Sequence, residues 1–287
     1  MNNLTVRVLF ALVAIPVVLL CMWGNDYSRL ALMSFLCGGG AWEWARMASK
    51  MYKGPNMQVV APVAAVLLAV ATALQSGKFF DGLQMNGVVG VAVVLVIAIY
   101  VAFAYAKVEI AHLFPWWVLQ IGAPLYLGLW GGLTMLLLGS GHGIEHSFLF
   151  LLVMTSMWIC DSAAYFVGKF LAGKGPFGRH PMAPSLSPKK TWEGAVGGTL
   201  FTIGWFYLWT TDCLIQVIDI SLAKAVALGI VISVADQAGD LLMSALKRWS
   251  GTKDSSQIFP GHGGVLDRMD SFFFAGPIVV LLLDFLK

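Results

Sequence analysis

With 287 residues, 59% of them hydrophobic and only 11% charged, this chain has too little polar surface to cover a water-soluble globule; soluble domains carry about 25% charged residues. A formal net charge of +3 is too small to point to nucleic acid. Together with a mean hydropathy of +0.80, these values describe a polytopic membrane protein.

A spanning helix needs about 20 mostly apolar residues. About nine segments approach this requirement: 4–22, 29–45, 58–75, 87–106, 116–139, 147–168, 194–211, 222–243 and 271–286. Backbone groups in lipid must be satisfied within each segment, so the expected fold is an all-α polytopic membrane protein with about nine transmembrane helices and a polar site on the cytoplasmic side. The first segment has one arginine before it and a poor lipidation sequence, "VLLC", at its end, and is expected to be an uncleaved helix. Cys21, Cys37, Cys160 and Cys213 form no CxxC pair and lie in or beside apolar runs, as packing residues do. Basic residues concentrate on one set of connections: Arg7, then Arg46, Lys50 and Lys53, then Lys107, and finally the two long loops 169–193 and 244–270. The opposite set has only Lys78 and Lys287. The positive-inside rule puts the N-terminus and both long loops in the cytoplasm, in a cell's inner (cytoplasmic) membrane. The expected organisation is an N-terminal set of transmembrane helices over 1–145 and a catalytic transmembrane region over 146–287.

Three constellations carry the chemistry. Acids inside spans come first: Asp161 in the sixth, and Asp236 with Asp240 one helical turn apart in the eighth. An ionised side chain at mid-bilayer costs ~3 kcal/mol on insertion scales, which a bound cation, water or a basic partner on a neighbouring helix offsets. The second is "GHGGVLDRMD", residues 261–270, where Asp267 and Asp270 share a face at the start of the last helix. Carboxylates suit a hard cation such as Mg²⁺, while an Asp at a helix start also caps it. Gly263 and Gly264 allow backbone N–H groups to approach a phosphate. His262 fits a phosphate contact, a metal ligand, a proton carrier or a solvent-facing side chain. The third is "SLSPKKTWEG", residues 185–194, with Ser187, Lys189, Lys190 and Thr191 suited to a polyphosphate, and Thr191 also to a helix cap. No G-x-x-x-x-G-K-[ST] phosphate loop occurs. The combination suits phosphoryl or nucleotidyl transfer to a membrane lipid.

The stretch "SALKRWSGTKDSSQIFPGHGGVLDRMD", residues 244–270, resembles the signature of the phosphatidate cytidylyltransferases, or CDP-diacylglycerol synthases. The resemblance continues upstream through "DQAGDL" (236–241), "SPKKTWEG" (187–194) and "DSAAYFVGK" (161–169), and covers roughly the last 130 residues. The segment from Lys169 to Pro184 looks longer than the family pattern, and Ser162 and Ser256 stand where Thr and Gly are frequent. The resemblance implies a membrane enzyme of phospholipid biosynthesis that converts CTP and phosphatidate to CDP-diacylglycerol and pyrophosphate with Mg²⁺ or another divalent cation. Its partners would be those substrates and membrane lipid, with no nucleic acid and with a homodimer left open. It implies Asp240 and Asp267 as metal ligands, supported by Asp236, Asp270 and Asp161, all meeting at one site. Ser187, Lys189, Lys190 and Thr191 would contact the triphosphate. Lys247, Arg248, Lys253 and Arg268 would hold phosphates of either substrate, with Gly263 and Gly264 beside them. Lys253, His262 and Asp270 join Asp240 and Asp267 as catalytic candidates. The alternative is a CTP-dependent lipid or polyprenol kinase.

Overall fold

The computed structural model describes residues 3–77, 84–138, 144–174, 178–210 and 221–286. Cys213, Lys78 and Lys287 lie outside these residues. Helices occupy every segment expected to span: α1 (Asn3–Trp23), α2 (Asp26–Met51), α3 (Val60–Ser76), α4 (Val88–Lys107), α5 (Ile110–Ala123), a π-helical turn (Pro124–Trp130) leading to the single turn α6 (Gly131–Leu133) and a 3₁₀ turn (Thr134–Leu137), α7 (Ile144–Phe170), α8 (Trp192–Thr210), α9 (Leu222–Trp249) and α10 (Leu266–Leu286). Among the described residues, five stretches are long and apolar enough to cross a bilayer: Thr5–Trp23, Val88–Tyr105, His112–Leu137, Phe148–Phe170 and Leu222–Trp249. The protein is therefore a largely helical, polytopic membrane protein.

Contacts divide the chain into two compact units, one made of Met1–Gly143 with Leu246–Met269 and the other of Ile144–Ala245 with Asp270–Lys287. In the first unit α2 and α3 form the centre. Asn25 caps α2 by accepting from the Ser28 N–H at 3.0 Å, and α2 buries Met33, Cys37, Ala41, Ala45 and Met47. The facing side of α3 is alanine-rich. Ala65 and Ala69, one turn apart, receive Gly128 and Gly132, also one turn apart; a Cβ on Gly128 would lie 2.6 Å from the Ala65 Cα. Small residues in this spacing let backbones meet where lipid supplies no hydrophobic drive between helices. The helix after Ala123 widens into the π turn at Pro124, which has no N–H to continue the α ladder.

In the second unit α7 packs on α8 through another glycine face. A Cβ at Gly194 would lie 2.6 Å from the Ala164 carbonyl, and one at Gly198 would lie 2.9 Å from that of Cys160. Polar bonds tie α9 to this pair: Thr199 Oγ1 on α8 meets Ser233 Oγ on α9 at 2.8 Å, and Gln237 Nε2, one turn along α9, donates to Ser233 Oγ at 2.9 Å. Trp205 Nε1 donates to Thr155 Oγ1 at 3.0 Å.

Two features depart from the sequence expectation. Loop 169–193 contains an antiparallel hairpin, β1 (Pro181–Ala183) against β2 (Ser187–Thr191). The apolar windows also understate the last two helices: α9 continues to Trp249 and α10 starts at Leu266. Charged residues extend a helix as readily as apolar ones once it has left the lipid. The end of α9 is set by Gly251, at φ +68, with the Thr252 N–H bonded to the Lys247 carbonyl at 2.9 Å, the pattern of a left-handed helix terminus.

Candidate active site

In the first unit the signature residues gather between the end of α9 and the start of α10. Asp267, in the first turn of α10, has a side chain only 7% exposed. Its Oδ1 accepts from Lys247 Nζ at 2.8 Å. Its Oδ2 accepts from the Ser255 N–H at 2.8 Å, the Ser255 hydroxyl at 2.9 Å and the Gly264 N–H at 2.9 Å. Burial pushes the carboxyl up, but Lys247 and the two N–H groups outweigh it and hold it below the usual carboxylate range. The carboxylate is therefore ionised, and local donors already occupy both of its oxygens.

The paired glycines serve this same packing. Gly263 has φ +86, and a Cβ there would lie 2.7 Å from Asp267 Oδ2. A Cβ on Gly264 would overlap the Ser255 hydroxyl and the Glu43 carboxylate. The Gly264 N–H, expected to be open to phosphate, is used by Asp267. The His262 ring packs 5.2 Å from that of Phe10; its Nδ1 is buried without a hydrogen-bond partner among the described residues. Arg268 Nε donates to the His262 carbonyl at 2.8 Å. Lys253, Arg248 and Arg268 are exposed.

Sequence reasoning missed one residue here. Glu43 on α2 is fully buried and accepts four hydrogen bonds from the same loop. Oε1 takes the Val265 N–H at 2.9 Å and the Ser256 hydroxyl; Oε2 takes the Leu266 N–H and the Ser255 hydroxyl, both at 2.8 Å. The signal was available: Glu43 is an acid inside a segment read as a span, the criterion that singled out Asp161.

In the second unit a cavity of about 640 Å³ lies beside the hairpin. Its lining includes Asp161, Lys189, Lys190, Thr191 and Asp240 from the expected set, together with Tyr165, Lys169, Arg179 and Gln237, which were not expected. Four basic side chains against two acidic ones leave it net positive, as an anion site requires. The hairpin explains the gathering, since it folds the long segment back and presents Lys189 and Lys190 from β2. The His180 N–H and Nδ1 meet the Glu193 carboxylate, the ring at 2.6 Å. The His180 carbonyl takes the Trp192 N–H at 2.9 Å, which fixes the base of the hairpin. Thr191 is buried and accepts from the Gly194 N–H at 3.2 Å, capping α8. Lys190 Nζ pairs with Asp240, and Ser244 Oγ donates to Asp240 Oδ1 at 3.3 Å.

Asp236 lies deeper in this unit, with no exposed surface. Ser271 Oγ donates to the Asp236 main-chain carbonyl at 3.1 Å, and neither carboxylate oxygen has a hydrogen-bond partner among the described residues. Its charged neighbours are Asp161 and Asp270. The Ser271 hydroxyl and Cys160 thiol lie beside it without a well-formed bond to either oxygen; a buried carboxylate so weakly satisfied is costly, and the oxygens of Asp161, Asp236 and Asp270 suit a hard divalent cation. Among the described residues, no three His, Cys, Asp or Glu side chains form a ready-made metal cage. Mg²⁺ needs none, because it is held by one or two carboxylates plus water and substrate phosphate.

The chain matches the model of the cytidylyltransferase family over residues 5–286. The chain belongs to the cytidylyltransferase family. Family membership therefore reaches the N-terminal helices, where the sequence alone offered only apolar spans. A phosphatidate cytidylyltransferase of Pseudomonas aeruginosa is 31% identical over 284 residues, 96% of each chain. Relatives of the same name from Thermotoga maritima (38% over 139 residues) and Bacillus subtilis (42% over 127 residues) align over 48% and 44% of this chain and over less than half of their own length, 49% and 44%. As a member of this family the chain is a nucleotidyltransferase, and the kinase alternative is not favoured.

Proposed function

We propose that this cytidylyltransferase converts CTP and phosphatidate to CDP-diacylglycerol and pyrophosphate, at the cytoplasmic face of a cell's inner membrane crossed by its nine helical segments. The observation that carries the proposal is the net-positive cavity in which Lys189 and Lys190 of the hairpin stand opposite Asp161 and Asp240. Its size falls within the ~300–1,000 Å³ of small-molecule sites.

In this proposal Lys169, Arg179, Lys189 and Lys190 take the triphosphate, with Ser187 and Thr191 at the two ends of β2. A phosphate oxygen of phosphatidate attacks the α-phosphorus of CTP. The α–β phosphoanhydride bond breaks and pyrophosphate leaves. A phosphate monoester loses its second proton near pH ~6, so no protein base is required, and charge neutralisation with positioning is the enzyme's main task. Asp240, Asp236, Asp161 and Asp270 would hold the divalent cation, which when bound offsets phosphate charge. Asp267, with donors on both oxygens, is better suited to holding Lys247 and its loop than to ligating metal. Arg248, Lys253 and Arg268, all exposed, would bind phosphate of either substrate, while Lys247 stays on Asp267. The acyl chains stay in the bilayer.

Purified protein in mixed micelles with CTP, phosphatidate and Mg²⁺ is expected to form a CTP-derived liponucleotide and one equivalent of pyrophosphate, both lost on chelation. Release of CDP with no pyrophosphate would establish a kinase instead.

A further inference from the structure

We propose that Glu43, on the second helix, is a positioning residue for the reaction: it holds the segment from Ser255 to Leu266 in the one conformation that sets the Lys247–Asp267 pair. This rests on the function proposed above, because it assigns the loop a part in that turnover.

The two carboxylates share one link. The Ser255 hydroxyl lies 2.8 Å from Glu43 Oε2 and 2.9 Å from Asp267 Oδ2. It has a single proton and so donates to one of them at a time. Asp267 keeps the Ser255 and Gly264 N–H groups and Lys247 in either case. Glu43 has the Val265 and Leu266 N–H groups, which open α10, and the Ser256 hydroxyl. Both ends of the loop therefore converge on the same side chain, 212 to 223 residues away in sequence. One turn along α2, Arg46 Nη2 donates to the Ser255 carbonyl at 2.7 Å, so Ser255 is held at both its hydroxyl and its carbonyl by one helix face. Gly264 comes so close that a Cβ there would overlap the Glu43 carboxylate. Here a buried carboxylate has four donors, all from the segment that carries His262 and reaches Asp267.

Glutamine at position 43 keeps the shape but can accept on only one side; its NH₂ opposes either the Val265 or the Leu266 N–H. The serine hydroxyl on that side can rotate and accept, so one contact of four is lost outright. Alanine loses all four. The test measures kcat, KM for both substrates and amide exchange across 254–267 for wild type, Glu43→Gln, Glu43→Ala, Ser255→Ala and the double variant Glu43→Gln/Ser255→Ala. Glu43→Gln is expected to lower kcat about tenfold with both KM values within threefold, and to speed exchange at Val265 and Leu266 while exchange in α7 and α8 is unchanged. Glu43→Ala is expected to lose more activity, and the double variant to lose less than the product of its two single effects. If Glu43→Ala does not accumulate, Glu43→Gln decides. The proposal is overturned if Glu43→Gln turns over within twofold of wild type, if its loop exchange is unaltered, or if exchange rises equally throughout the chain. Absence of any liponucleotide from wild type would instead remove the proposed reaction, and the exchange data would still decide whether Glu43 sets the loop.

Discussion

Asp240→Asn is expected to reduce kcat by several hundredfold, ~10²–10³, in a protein that still inserts and folds. Asp240 lines the basic cavity, is paired with Lys190 and is about one-quarter exposed. A partly solvated ion pair of this kind contributes little to stability, ~0–1 kcal/mol, so its loss leaves the fold in place. Its effect on reaction is larger. Loss of a group that stabilises transition-state charge costs ~3–4 kcal/mol, and each 1.36 kcal/mol is a factor of ten. The variant is also expected to need more Mg²⁺ for half-maximal rate. Exchanging the two charges, Lys190→Asp with Asp240→Lys, separates the roles. A purely structural pair recovers on exchange, whereas a metal ligand and a phosphate contact do not. Recovery of activity in the exchanged protein would remove Asp240 from the reaction.

Asp267→Asn is expected to lower turnover about a hundredfold through the loop. The amide cannot satisfy Lys247 and also accept from Ser255 and Gly264, and breaking a buried pair from one side costs ~3–5 kcal/mol. About 3 kcal/mol of lost positioning in the transition state corresponds to roughly a hundredfold in rate. The same carboxylate sets a pH window. Its folded pKa is depressed, so its contribution is complete above the unfolded value of about 3.9 and is lost only as pH falls through the lower folded value. The Ser255 and Gly264 amide signals are therefore expected to be flat from pH 8 to 5 and to move only in stronger acid. Movement between pH 7 and 5, or near-normal turnover in Asp267→Asn, would contradict this role.

Much of the architecture was legible because its physics is local. An apolar run long enough to cross lipid is expected to be helical, and each such run is helical over its described residues, with a π turn and a 3₁₀ turn interrupting 116–139. The helix ends were less legible, since Lys247, Arg248 and Asp267 lie within α9 and α10 although the expected spans 222–243 and 271–286 leave them out. The hairpin at 181–191 was hidden for a different reason. It is fixed by His180 meeting Glu193 thirteen residues on, which no short pattern encodes. That hairpin is what brings Lys189 and Lys190 to the cavity that Lys169, at the end of α7, and Asp240 also line. Spacing singled out Asp267 but not the four donors around it, which an Asp three residues before another does not identify. Glu43 was visible as an acid in a span, yet its partners lie more than 200 residues away.

Binding of CTP in the hairpin cavity of the second unit is open to photo-crosslinking with azido-CTP in the presence of Mg²⁺. Label that excess CTP displaces is expected on peptides from the segments 165–172 and 179–195, and is expected to fall sharply in Lys189→Ala/Lys190→Ala. Label confined to other segments, at the same level in wild type and the double-lysine variant, would contradict the account.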